Sequence, residues 1–459
     1  MSPIRDLDLV DMVRLLQKGE VSSEEIVKSC LDAVELYNDK LNAFISIDPL
    51  KLLKRAQEID KLPQTERGLL SGIPVAIKDL IDVSGEVTTA GSSFFKNKPS
   101  ARTDALIVKK LKEAGAIPFG KTNLHEFAWG GTSANPHYGI CYNPWNRNYV
   151  AGGSSGGSAI SVLMRMAPAA LGTDTLGSIR HPSSFCGTVG LKPTYGLLPT
   201  EGIFPLAYTL DHVGPMARTV EDVEYVLKAM LDENTRVLVE NNYEIGKKVL
   251  KERSRRLEGI CVGVLAPHVP KDICHEAVWN GYENVLKIIE DEGAEVVEIQ
   301  FPEFESAYAA GLFLTLAQAS QIHRNRMVER PEGFGDDVRV LLEAGYLVSA
   351  VDYVQAQKVR AKLIDTAKRI MKKTDCWVIP TTPNPAIAVG ETDLTVALFT
   401  APFCTLGFPS IALPSGFTNE RLPVSVQIIG APLDEYRILD IATIVSQSIA
   451  FPKTVPENL

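Results

Sequence analysis

The sequence predicts an α/β protein, and two observations carry that expectation. Between Gly68 and Arg218, short apolar runs broken by glycine and proline alternate with amphipathic stretches such as 104–114, which Gly115 ends. Beyond residue 258 a β-α-β rhythm restarts, with 260–265 expected as a strand, 275–291 as a helix and 295–299 as a strand.

The elements follow in order. Ser22-x-x-Glu25 is a capping box, and Ile26, Val27, Cys30, Leu31 and Val34 recur on one helical face, which predicts a scaffold helix within an N-terminal helical part, 1–66. Residues 67–220 are expected to form the functional core, and 231–258, charged and helix-prone, a peripheral insertion. The remainder, 259–459, is expected to complete the same sheet. In it 304–373 is nearly all helix-prone, 376–380, 410–414 and 424–429 read as buried strands, and 435–448 as a last helix. No internal repeat or low-complexity tract interrupts this pattern.

Composition narrows the function classes. The 459 residues are 45% hydrophobic and 22% charged, ordinary for a globular chain. Length alone allows two or three domains, although large α/β enzymes often run as one continuous core. A net charge of −9 opposes a role in gripping nucleic acid, which needs a basic surface. Seven scattered cysteines, odd in number and without a C-x-x-C pair, suggest neither a disulfide framework nor a zinc site, so a reducing, cytoplasmic setting is expected. The first dozen residues hold three aspartates and no secretory apolar region. No segment reaches the roughly 18 uninterrupted apolar residues of a membrane span.

The chemistry concentrates in two glycine-framed serines 24 positions apart, Ser154 in Gly-Gly-Ser-Ser-Gly-Gly-Ser and Ser178 in Gly-Thr-Asp-Thr-Leu-Gly-Ser-Ile-Arg, and in Lys78, which ends the apolar run 73–77. A serine hydroxyl needs a base to become a nucleophile, and acyl transfer needs N–H donors aimed at the developing oxyanion. The backbone of Thr175, Leu176, Gly177 and Ser178 can supply those donors, and Ser154 can relay the proton to Lys78. Lysine serves as a base only with a depressed pKa, which burial behind an apolar strand provides; Asp79 opposes this only if its carboxylate turns toward the ammonium.

Each motif alone also has a plainer reading. The Gly-Ser stretch suits a flexible linker or an anion-binding nest, Lys78 a solvated strand-end lysine, and Ser178 a helix N-cap. Their joint occurrence favours the enzyme. The Gly-Ser stretch lacks the Gly-Lys-[Ser/Thr] ending of a P-loop, and His125-Glu126 lacks the second histidine of a zinc-protease motif. His181 is expected as a pocket or core residue and Cys186 as a small buried hydrophobe.

Together the stretches 72–79, 120–127, both serine loops, 189–196 and 211–218 resemble the amidase signature family of serine hydrolases, over most of the chain. The resemblance implies a single α/β domain whose mixed central sheet is flanked by helices on both faces. It implies Ser178 as the acylated nucleophile, Ser154 as the bridging serine on a cis peptide and Lys78 as general acid/base, with no metal or organic cofactor. Asp174 and Arg180 are expected to be structural or hydrogen-bonding. Family members carry Gly-Gly-Ser where this chain has Leu176-Gly177-Ser178. If position 176 needs φ > 0, leucine strains the loop; with an ordinary φ it keeps its N–H and narrows the pocket.

The resemblance further implies hydrolysis of a carboxylic amide to carboxylate and ammonia or amine. The segment 321–335 resembles stand-alone amidases, so an independent enzyme on small or aryl/alkyl amides is expected, with substrate-binding residues left open. Its partner is a small-molecule amide, with no membrane and no direct nucleic acid, and a homodimer is the base-rate assembly. One alternative is the glutaminase component of a tRNA-dependent amidotransferase, which requires partner subunits. Another is an inactive scaffold whose oxyanion loop Leu176 has altered.

Overall fold

A computed structural model describes residues 3–247, 256–449, 451–452 and 455–456. Thirteen strands are found among them, and eleven form one mixed sheet. From one edge to the other they run Phe44–Ser46, Ile117–Thr122, Pro74–Lys78, Ala169–Asp174, His212–Ala217, Val189–Lys192, Ser410–Phe417, Pro423–Ile429, Cys376–Pro380, Cys261–Val264 and Glu295–Glu298. Strands before and after the expected insertion thus share one sheet, joined where Val189–Lys192 pairs antiparallel with Ser410–Phe417.

Both faces are covered, as alternation along Cys376–Pro380 shows. Cys376 and Val378 join one buried cluster, while Trp377 and Ile379 join another. A strand apolar at every position is expected when helices pack on both sides. The α/β expectation therefore holds.

Local signals set the helix ends. Ser22 accepts from the Glu25 N–H at 3.2 Å, the Glu25 carboxylate returns the bond to the Ser22 N–H at 2.8 Å, and the helix Ser23–Leu41 buries Ile26, Val27, Cys30 and Val34. The helix-prone stretch 304–373 divides into Phe304–Glu329, Asp336–Gly345 and Ala350–Met371. Its last break is marked by a second capping box, Ser349 with Asp352. Within the expected insertion, Glu233–Lys247 is helical and Asn242 donates to the Leu433 carbonyl at 3.1 Å; positions 248–255 lie outside the described residues.

This frame places the site at strand ends. Pro74–Lys78 lies between two parallel neighbours, Ile117–Thr122 and Ala169–Asp174, so its C-terminal residue is enclosed. The turn after Ala169–Asp174 then runs into the helix Arg180–Cys186. Loops at the carboxyl ends of adjacent parallel strands are where open α/β sheets bind ligands.

Candidate active site

Every residue of Pro74–Lys78 is buried, and that burial delivers the Lys78 ammonium to a site of hydroxyls. Its Nζ lies 2.7 Å from Ser154 Oγ, 2.8 Å from Ser155 Oγ and 2.8 Å from Thr173 Oγ1. Burial pushes its pKa down to about 7, against the pull of Asp174 and Asp211. Asp79 does not oppose this, because its carboxylate turns to Lys121 Nζ at 2.9 Å and to the Thr89 N–H at 3.0 Å. A neutral amine has two protons and one lone pair, which matches three hydroxyl neighbours. The solvated strand-end reading of Lys78 fails.

The glycines around Ser154 serve packing. The whole stretch 151–163 is buried. A Cβ on Gly153 would sit 2.8 Å from the Thr132 and Ser133 nitrogens, and one on Gly157 would sit 2.3 Å from the Ala43 carbonyl oxygen. The flexible-linker reading is therefore excluded. A nest for anions is also unsupported, since the Gly156 N–H donates to Ser133 Oγ at 3.1 Å and the Gly157 N–H to the Asn123 carbonyl at 3.0 Å. The Gly153–Ser154 peptide is cis. The Ser155 N–H donates to the Ser178 carbonyl at 3.2 Å, which sets the two serine loops side by side.

Ser178 is 8% exposed, whereas Lys78 and Ser154 are fully buried, so of the three it is the one open to solvent. It is not a helix N-cap: Ile179 occupies that position before Arg180–Cys186. In the preceding turn the positive φ, 143°, falls on Gly177, and Leu176 has an ordinary one. Leucine at 176 is therefore unstrained. Its carbonyl accepts from Thr400 Oγ1 at 2.6 Å, while the Thr175 hydroxyl donates to Asp211 Oδ1 at 2.6 Å. Among the described residues, the N–H groups of Leu176, Gly177 and Ser178 have no acceptor. Unpaired main-chain donors in so enclosed a turn are rare.

The other singled-out residues are held by contacts of their own. Arg180 makes a two-pronged, fully buried pair with Asp174, Nε to Oδ2 at 3.0 Å and Nη2 to Oδ1 at 3.1 Å. Burial alone would raise the Asp174 carboxyl, and the Arg180 guanidinium overrides it, holding the group well below the usual carboxylate range. His181 is buried, pushed down to about 4 by desolvation, and bonded to Thr400 Oγ1 at 2.7 Å. Cys186 is buried and its thiol is pushed up by burial. Glu126 accepts from Ser92, His137 and the Gly335 N–H at 2.5, 2.8 and 2.7 Å, and no metal-holding cluster occurs among the described residues. In the segment 321–335, Arg326 stacks 4.7 Å from the Phe95 ring centre and Arg330 4.4 Å from that of Phe94.

Sequence reasoning expected Lys78, Ser154 and the 175–178 turn at one site, where Lys78 Nζ bonds Ser154 Oγ and the Ser155 N–H bonds the Ser178 carbonyl. It did not single out Ser155, Thr173, Thr400 or Asp211 as their partners. Ser155 could have been found as the second serine of its motif; Thr400 carries no sequence signal, being 224 positions from the carbonyl it holds.

Residues 25–439 match the family profile described as Amidase. The chain is 36% identical over 480 residues to the A-type component of the glutamyl-tRNA(Gln) amidotransferase of Halorhodospira halophila, covering 96% of this chain and 97% of that one. Its structure is similar to the crystal structure of an amidase, with a TM-score of 0.86 at 30% identity over 97% and 100% of the two chains. It is also similar to the corresponding glutamyl-tRNA(Gln) amidotransferase component of Thermotoga maritima, with a TM-score of 0.79 at 31% identity over 99% and 98%.

Proposed function

The chain belongs to the amidase family, whose members are hydrolases acting on C–N bonds, and from that premise we propose that it is a stand-alone amidase working through an acyl-enzyme on Ser178. Ser178 Oγ attacks the amide carbonyl while its proton passes to Ser154, whose own proton passes to neutral Lys78. The oxyanion that forms is met by N–H groups of the 175–178 turn. Collapse breaks the C–N bond, the proton returns from Lys78 through Ser154 to the leaving ammonia or amine, and water then cleaves the ester by the same relay. The observation that carries this reading is Lys78, buried, with its Nζ 2.7 Å from Ser154 Oγ and its pKa lowered to about 7.

A reading as the glutaminase component of an amidotransferase draws support from the curated relative in Halorhodospira halophila. One observation favours the stand-alone enzyme: at nearly equal identity the backbone superposes better on the amidase than on the amidotransferase component. The ordinary φ of Leu176 weighs against a disabled scaffold. A cytoplasmic setting is part of the proposal: no helix among the described residues is long and apolar enough to cross a membrane, and the seven cysteines are free.

Treatment with a fluorophosphonate followed by intact-mass measurement tests the nucleophile. One adduct on the wild type and none on Ser178→Ala is the expected result; no adduct on the wild type defeats the hydrolase reading. Ammonia release from a panel of amides then chooses the class. Turnover of aryl or alkyl amides by the chain alone supports the stand-alone enzyme, and activity on glutamine only with companion subunits replaces it with the amidotransferase component.

A further inference from the structure

The peptide joining Leu176 and Gly177 is trans and planar, so its carbonyl and its N–H point in opposite directions from one rigid unit. Whatever fixes the Leu176 carbonyl therefore fixes where the Gly177 N–H points. Thr400 Oγ1 donates to that carbonyl at 2.6 Å, in preference to the Ala397 carbonyl at 3.4 Å. A threonine has one hydroxyl proton, so with it committed to Leu176 the oxygen accepts from His181, whose ring Nε2 is 2.7 Å away.

The rest of the surroundings holds these pieces in place. The His181 N–H donates to the Gly177 carbonyl at 2.7 Å, and the Thr400 carbonyl accepts from Arg180 Nη2 at 3.1 Å. A Cβ on Gly177 would lie 2.0 Å from His181 Nε2 and 2.4 Å from Thr400 Oγ1, so only glycine lets the pair close on this peptide. Burial lowers His181 to about 4, which leaves the ring neutral near neutral pH, and with the Thr400 proton on the Leu176 carbonyl the ring proton belongs on Nε2, leaving Nδ1 without a hydrogen-bond partner among the described residues.

We infer that His181, acting through Thr400, is a positioning residue that aims the Gly177 amide at the oxyanion. The assignment rests on the acyl-enzyme reading of Ser178. It gives a role to the histidine three positions past Ser178, which takes no part in proton transfer. It also shows how leucine is tolerated at 176: the loop is held by its main chain, whatever side chain it carries.

The test uses the full chain, four single variants, Thr400→Val, Thr400→Ser, His181→Leu and His181→Gln, and one double variant. The readouts are the rate of fluorophosphonate labelling of Ser178, and kcat and KM on an amide that the wild type turns over. Thr400→Val and His181→Leu are expected to slow labelling and kcat about 10- to 100-fold with KM within about twofold, a fraction of what deleting an oxyanion donor costs. Thr400→Ser and His181→Gln, which keep the hydroxyl and the donor, are expected within about threefold of wild type. The double variant Thr400→Val/His181→Leu should fall no more than about threefold below Thr400→Val, because His181 reaches the carbonyl only through the Thr400 hydroxyl.

Folded variants with unchanged labelling and kcat, losses confined to KM, or losses that multiply in the double variant overturn the assignment. If Thr400→Val does not fold, the His181→Leu and His181→Gln pair decides alone. A wild type that is not labelled removes the acyl-enzyme reading and the clamp together, whereas a labelled wild type with unaffected variants removes the clamp only.

Discussion

Lys78 concentrates the chemistry in a single titration. With its pKa brought by burial to about 7, the amine is neutral, and able to take a proton, only above that value. Fluorophosphonate labelling of Ser178 is therefore expected to rise with pH through a midpoint near 7. Two carboxylates face Lys78, Asp174 and Asp211, and both raise its pKa, while Asp79 is committed to Lys121. Asp211→Asn removes one negative charge and should move the midpoint to lower pH. A shift upward, or none, would mean that Asp211 acts through the hydrogen bonds it accepts from Thr175, Leu206 and Ala207 and not through its charge on Lys78. The same burial affects stability: the folded amine loses its proton near 7 and the unfolded one near its ordinary value of 10.5, so burying the ammonium penalises the fold most below 7, and that penalty shrinks progressively as pH rises from about 7 to 10.5. Replacing Lys78 with alanine should slow labelling by about 10²- to 10⁴-fold, the range for a lost general base.

At the scale of elements, the long helix Phe304–Glu329 packs against Ala401–Leu406 so closely that Gly311 has no room for a side chain. A Cβ there would lie 2.2 Å from Thr405 Oγ1 and 3.4 Å from Leu176 Cδ2. Gly311→Ala is expected to cost about 1–3 kcal/mol in urea unfolding, as overpacking does, in spite of alanine's higher helix propensity. A variant as stable as the wild type would show that the two helices can separate freely. Elements of this kind were unevenly legible in the sequence. The capping box at Ser22 and the apolar runs at 376–380 and 424–429 announced themselves because their causes are local. The breaks at 330–335 and 346–349 also carry local signals, Pro331, Gly333 and Gly335 in the first and the Ser349 cap at the end of the second, but the helix-prone sequence on either side outweighs them when the stretch is read as a whole. Strand order was out of reach, because Val189–Lys192 meets Ser410–Phe417 only through packing of the whole sheet. The site divides in the same way: Ser154, Ser178 and Lys78 stand in glycine-rich or apolar contexts, whereas Thr400 and Asp211 matter through contacts that no spacing encodes.

For the whole molecule, the buried Asp174–Arg180 pair ties the strand and helix on either side of Ser178 to the C-terminal half. Arg180 also donates to Gln427 Oε1 at 2.8 Å on Pro423–Ile429, to the Thr400 carbonyl at 3.1 Å and to Cys404 Sγ at 2.9 Å on Ala401–Leu406. Such a pair adds little net stability over apolar replacements, but breaking it strands a charge away from water. Asp174→Asn leaves the guanidinium uncompensated at the centre of this junction, and a loss of about 3–5 kcal/mol is expected in urea unfolding. The sign of its pH dependence follows from the depressed carboxyl. Stability from the pair is complete above the ordinary aspartate value of 3.8 and is lost as pH falls below it toward the folded-state value. Wild type should thus lose stability steeply in that acid range, and Asp174→Asn, already lacking the charge, should show a shallower slope there. Equal acid slopes in the two proteins would show that other carboxylates govern acid unfolding and that the junction is held by its neutral hydrogen bonds.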